Sequence, residues 1–181
     1  QDGVEGPRRT VLDPNTWSKT QTLAGFWPSP DGRLAIVGRA DAGNEDPELL
    51  VLEVDSGALT PEPVAGWRRS GVVWHPDATG FWFSGRPSAG SVPEGEEHYW
   101  HRVWFHRLGA EPSTDTVVLA DEETRERFHG VEISEDGRWL LLGRYRFNAS
   151  SFEVLDRETG ARRVAVDVLD AHHDVVVVDG R

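Results

Sequence analysis

Apolar residues fall along this chain in short runs, each closed by Gly, Pro, Asp or Asn, which is the pattern of β-strands and turns. The clearest run is Ile133-Ser134-Glu135-Asp136-Gly137-Arg138-Trp139-Leu140-Leu141-Leu142-Gly143. It reads as the end of one strand, a tight Asp-Gly turn and a long apolar strand. Glycine accepts a positive φ without steric cost, so Asp-Gly closes such a hairpin. The same unit stands upstream as Pro30-Asp31-Gly32-Arg33-Leu34-Ala35-Ile36-Val37-Gly38, and a looser copy runs from Trp74 through His75-Pro76-Asp77 to Gly85. A hairpin that recurs with the period of a sheet predicts an all-β array.

The remaining runs place strands around each copy. The first unit holds Leu23–Trp27, Leu34–Val37, Leu49–Val54 and a weak strand near Pro63-Val64. The second holds Gly71–Trp74, Phe81–Ser84, Tyr99–Leu108 and Thr116–Leu119. The third holds Val131–Ile133, Trp139–Leu142, Phe152–Leu155 and Arg163–Val168. Four antiparallel strands to a unit is the blade of a β-propeller, whose repeats run to roughly 40–50 residues. The Asp31-to-Asp77 interval is one such repeat. The Asp77-to-Asp136 interval is longer because a Gly/Pro/Ser/Glu-rich loop, 87–97, is inserted. The whole chain, 1–181, is thus expected to be an incomplete propeller of about three blades, at approximately 22–66, 67–120 and 127–168. End strands are expected at 8–13 and 172–178. A β-sandwich has similar turn spacing, but the repeat favours the propeller.

Blades cover one another on both faces, so an inner run such as Trp139–Leu142 should be buried without alternation. An open arc leaves apolar faces at its ends, which predicts self-association through open blade edges.

Composition narrows the function classes. A net charge of −12 opposes binding to nucleic acid or an anionic membrane. No apolar run approaches the roughly 18–20 residues of a membrane span. Cysteine is absent, which removes disulfides and thiolate metal sites and fits a cytoplasmic location. Gln1-Asp2-Gly3-Val4 carries neither an initiator methionine nor a signal peptide, so the chain is expected to be part of a longer one.

Candidate chemistry is sparse. No Gly-x-Ser-x-Gly elbow occurs, and Ser88 and Ser91 stand in the inserted loop, so no catalytic residue is assigned. His98 and His101 would diverge on a strand, and His98 and His106 would lie too far apart to share a metal ion. Adjacent His172 and His173 also diverge, so no metal and no cofactor are expected. Glu94, Glu96, Glu97 and Asp121–Glu123 read as solvated loops ahead of a calcium site. Trp82, Trp100, Trp104 and Trp139 read as packing between blades ahead of a stacking platform. Asn148-Ala149-Ser150 fits a glycosylation sequon.

Taken in order, Val11-Leu12-Asp13-Pro14-Asn15, Pro28-Ser29-Pro30-Asp31-Gly32-Arg33, Trp74-His75-Pro76-Asp77, Gly80-Phe81-Trp82-Phe83, Arg86-Pro87, His101 to Gly109 and Ile133 to Leu142 resemble the propeller of the prolyl oligopeptidase family of serine peptidases. The resemblance implies a seven-bladed propeller capping an α/β-hydrolase domain that carries a Ser-Asp-His triad. That domain and short peptides would be the partners. The propeller would screen substrates by size without catalysing. Two positions aligned with the family's substrate-facing side chains are Arg69, where the family has an aromatic, and Tyr145, where it has an arginine. Both departures bear on proline specificity. The alternatives are a stand-alone propeller that scaffolds protein interactions, and a propeller hydrolase with a metal held by carboxylates in its channel.

Overall fold

The structure is a computed structural model describing residues 6, 8–41, 47–60, 63–167 and 171–177. Its regular elements are strands and two single-turn 3-10 helices; among the described residues there is no α-helix. The strands are β1 (Gln21–Pro28), β2 (Leu34–Asp41), β3 (Glu48–Glu53), β4 (Trp67–Trp74), β5 (Gly80–Gly85), β6 (Arg102–Arg107), β7 (Thr116–Leu119), β8 (Phe128–Ile133), β9 (Trp139–Arg146), β10 (Ala149–Asp156) and β11 (Arg162–Val166). They form three antiparallel sheets in the orders β1-β2-β3, β4-β5-β6-β7 and β8-β9-β10-β11. A rudimentary fourth strand completes the first sheet through isolated bridges of Leu59 to Leu52 and of Val64 to Leu49. Each sheet is a sequential meander, as a propeller blade requires, and the three do not close into a ring.

Repeat chemistry sets the hairpins. In the first, the Ser29 hydroxyl donates to Asp31 (2.7 Å), and the amides of Arg33 and Leu34 donate to Asp31 (3.1 Å) and to the Ser29 hydroxyl oxygen (3.0 Å). In the third, Ser134 and Asp136 repeat this with the amides of Arg138 (3.0 Å) and Trp139 (2.9 Å). Gly32 and Gly137 sit at φ 71° and 72°. The second copy substitutes His75 for serine and Ala78 for glycine. Ala78 still adopts φ 56°, held by Asp77, which accepts from the Thr79 amide (3.0 Å) and hydroxyl (2.7 Å). The donors at each turn hold the aspartates ionised: Ser29 and Ser134 lower the pKa values of Asp31 and Asp136, and Thr79 brings Asp77 down to about 2.

The second sheet is the filling of the molecule. Trp67, Val72, Trp74, Phe81, Phe83 and Trp104 face the first sheet, where they meet Ile36, Leu49 and Val64. Trp82 and Val103 face the third, against Val131, Leu140 and Leu142. Trp67 is 1% exposed and meets Trp27 edge-on with ring centroids 5.2 Å apart. It lies over Gly38, where a Cβ would come within 2.7 Å of the indole. The Trp74 indole N–H donates to the Trp27 carbonyl (2.9 Å), so the first seam is polar as well as apolar. The second seam is tied at the turn end by Arg157, which donates to the Gly137 carbonyl and to His75 Nε2 while its guanidinium stacks over Trp82 at 5.2 Å.

The ends differ from expectation. Residues 9–12 form no strand: Val11, Leu12 and Trp17 lie over the outer face of the first sheet, against Ala35, Val37, Leu50 and Leu52. The Arg9 guanidinium fastens this segment to the Val54 carbonyl (3.0 Å) and the Asp55 carboxylate (2.8 Å). Residues 172–177 likewise form no strand; Val178 and the Asp179-Gly180 turn fall outside the described residues. The segment crosses the third sheet at Ser150, whose amide donates to the Ala171 carbonyl (2.9 Å) and whose hydroxyl accepts from the His173 amide (2.8 Å). β11 pairs with β10 only from Phe152 to Leu155, so the segment meets β10 just beyond that pairing. In β9, Leu140, Leu141 and Leu142 are buried, but Trp139 is only half-buried beneath the Arg138 guanidinium, 4.8 Å from its ring.

Trp67→Ala is therefore expected to cost about 3–5 kcal/mol, as for other buried tryptophans, and Trp139→Ala less than half of that. Urea unfolding of the two variants checks the ranking; equal losses would place Trp139 in the core.

Candidate functional site

The inner strands β1, β4 and β8 lead their sheets and stand next to one another. At the turn end they border an open hollow of about 490 Å³ lined by Trp27, Pro28, Val72, Trp74, Glu132 and Ile133. At the opposite end lie the start of β4, the exits of β5 and β9, the foot of β6 and the inserted loop. Arg69 and Tyr145 are both at this end. Arg69 is placed by its backbone in β4; its side chain falls outside the described residues.

Tyr145 is on the face of the third sheet that points away from the second. It pairs in register with Phe128 and Ser150, and its ring meets Phe152 edge-on at 5.7 Å. Two glycines make its bed: a Cβ at Gly143 would stand 2.5 Å from the hydroxyl, and one at Gly130 would stand 3.0 Å from the ring. The phenol is half-buried, and burial, with Glu132 and Asp174 nearby, raises its pKa. Its neighbour Arg144 points to the other face, toward the second sheet, and reaches Glu153 at 3.5 Å.

The inserted loop is latched at its far end. Glu96 accepts from the Trp100 indole (2.7 Å) and from Arg125 (2.6 Å). The Trp100 amide donates to the Arg125 carbonyl (2.9 Å), and the Arg125 guanidinium lies 4.9 Å over the Tyr99 ring. Trp100 has φ 56°, a left-handed conformation that a bulky residue adopts only when its surroundings impose it. Tyr99 and Trp100 thus belong to the latch; the expected strand Tyr99–Leu108 begins only at Arg102. The near end of the loop covers a second cavity of about 490 Å³ between the first two sheets, floored by Phe83 and Trp104 and bordered by Arg86, Pro87 and Glu97.

The other candidate residues are dispersed. Ser91 donates to the Ser88 carbonyl (2.7 Å) within the loop. His98 Nδ1 accepts from Arg86 (3.1 Å). His106 donates to the Asp115 carboxylate (2.7 Å), both side chains buried. Burial opposes ionisation of Asp121, yet the amides of Glu123 and Thr124 together with Arg127 hold its carboxyl below the ordinary range. Trp82 and Trp104 pack between sheets. Reading His98, His101 and His106 as one strand hid the spatial neighbour of His101, which is His129 on β8. Burial, first, and nearby arginines, second, lower both imidazoles to about 4. Adjacent hairpin ends could have suggested this pairing; sequence spacing could not.

The family model for the prolyl oligopeptidase N-terminal beta-propeller domain matches residues 1–180. The chain belongs to the prolyl oligopeptidase family, as its N-terminal propeller. It is 28% identical over 141 residues to a prolyl endopeptidase of Elizabethkingia meningoseptica, a match covering 76% of this chain and 20% of the relative. It is 25% identical over 199 residues to prolyl oligopeptidase A of Amanita bisporigera, covering 94% and 26%. A solved prolyl endopeptidase structure superposes with a TM-score of 0.82 at 27% identity, over 92% of this chain and 25% of that one. Prolyl oligopeptidase B of Galerina marginata, bound to a 35-residue hydrolysis and macrocyclisation substrate, superposes with a TM-score of 0.81 at 20% identity, over 93% and 26%, a likeness of fold. The chain thus spans about a fifth to a quarter of the relatives it matches. Among the described residues no helix is long and apolar enough to cross a membrane.

Glu96→Ala, which unfastens the loop from Arg125 and Trp100 together, is expected to speed limited proteolysis between 88 and 95 severalfold at unchanged cutting elsewhere. An unchanged rate would show that the latch does not hold the loop.

Proposed function

We propose that this chain is the substrate-gating, non-catalytic propeller segment of a cytoplasmic serine peptidase acting on short peptides. The observation that carries the reading is the match to the family's propeller domain along nearly the whole chain. The chain's own layout supports it. Hydrophobic seams between sheets hold the blades as a wall, and the inner strands present only a narrow, partly polar lining. The α/β-hydrolase domain of the same protein would supply nucleophile, base and oxyanion hole. Arg69 and Tyr145 would contribute at the pocket wall, a positively charged group and a hydroxyl where an aromatic and an arginine are the family pattern, so preference for proline would be altered.

The chain alone is expected to leave a fluorogenic prolyl peptide uncut, while the whole protein cleaves it and spares a folded protein substrate. In the whole protein, Arg69→Ala and Tyr145→Ala should raise KM about tenfold with little change in kcat, equivalent to about 1.4 kcal/mol of binding. Cleavage by the isolated chain, or a whole protein without a Gly-x-Ser-x-Gly elbow, would overturn the proposal and leave a stand-alone interaction scaffold.

A further inference from the structure

Sheets two and three meet at their loop ends across two histidines. His101 sits at the foot of β6 and His129 on β8, and each is only 3% exposed. His101 lies under the Phe128 ring, centroids 4.7 Å apart. His101 Nε2 makes no hydrogen bond to a described residue, and the ring of His129 has the His101 backbone as its hydrogen-bonding neighbour. The other partly or fully buried imidazoles differ. His106 donates to Asp115, His75 lies between Asp77 and Arg157, and His173 meets the Ser150 carbonyl at 3.0 Å.

The charged groups around the pair are mostly cations. Arg68 of β4 and Arg86, just after β5, act on His101; Arg144 of β9 and Asp121 act on His129. Arg127, in the approach to β8, is paired with Asp121, and Arg144 with Glu153. A neutral imidazole is tolerated here, since it brings no charge into the apolar seam. An imidazolium would be desolvated and set against guanidinium groups on both sides, a cost that exceeds what the His101 backbone returns to His129. At the turn end the same two sheets are joined by Arg157, through its hydrogen bond to His75 Nε2 and its stacking over Trp82.

We propose that the His101–His129 seam is an acid-operated contact: protonation of the two rings parts the loop ends of the second and third sheets and releases the latched loop. The sign follows from linkage. In the closed seam both rings titrate near 4, below the ordinary 6.5, so the open form binds more protons between those values. Closure is complete above about pH 6.5 and is lost as pH falls toward 4. Each histidine shifts the closed-to-open ratio by more than about tenfold between pH 7 and pH 5.

The chain has no cysteine, so paired spin labels can be placed cleanly. One label replaces the fully exposed Phe147 at the β9–β10 tip, the other Ser91 in the loop. The expected result is a longer, broader distance at pH 4.5–5 than at pH 7.5, reversible, with amide exchange in β2 and β5 unchanged. His101→Gln/His129→Gln should abolish the response. Should that variant fold poorly, Arg144→Gln, which removes one neighbouring cation, should weaken it. A pH-independent distance in the parent chain would overturn the proposal. So would a response that survives in both variants, or one that appears only with loss of protection in β2.

Discussion

The structure depends on one sheet being apolar on both faces. β4, β5 and β6 alternate sides residue by residue, yet both sides are hydrophobic: Phe81, Phe83 and Trp104 go one way, Trp82, Val103 and Phe105 the other. Such a sheet has no solvent face and must be sandwiched. That constraint brings the first and third sheets against it, and it removes the period-2 signal by which strands are normally oriented. The lining of rings at the first seam can close because Gly38 leaves room for Trp67.

The turns convert this packing into a fixed angular arrangement. In Ser-x-Asp-Gly the serine and aspartate side chains close their own hairpin. Where the second copy carries His75 in place of serine, the imidazole closes the turn through Nδ1 to Asp77 and still offers Nε2 to Arg157 of the next sheet. This donor order requires the neutral ring protonated on Nδ1. A local turn residue thereby becomes a connection between blades.

At the opposite end the connections are of another kind. The inserted loop is fastened by Glu96 to Arg125 on the approach to β8, and the seam beneath it holds two buried imidazoles, His101 and His129. Loops anchored this way, over an interface of limited polar satisfaction, belong to the less stable part of a fold. This is the end of the sheets at which the backbone places Arg69 of β4, Tyr145 of β9 and the loop.

The sequence by itself determined the strands, the sheet order and the family. Hairpin closure is local chemistry, legible in Ser-Pro-Asp-Gly and Ser-Glu-Asp-Gly, and a double-faced apolar strand is legible in Phe81-Trp82-Phe83 and Leu140-Leu141-Leu142. Tertiary structure decided what depends on neighbours distant in the chain. Arg9–Leu12 and Val175–Val177 have strand composition but form no strand, and Val11 and Leu12 instead pack on the outer face of the first sheet. Trp139 has the composition of core and is half-covered by Arg138. His101 found its partner in His129, and Tyr145 its bed on Gly130 and Gly143, because register between strands, and not spacing along the chain, sets which side chains share a face.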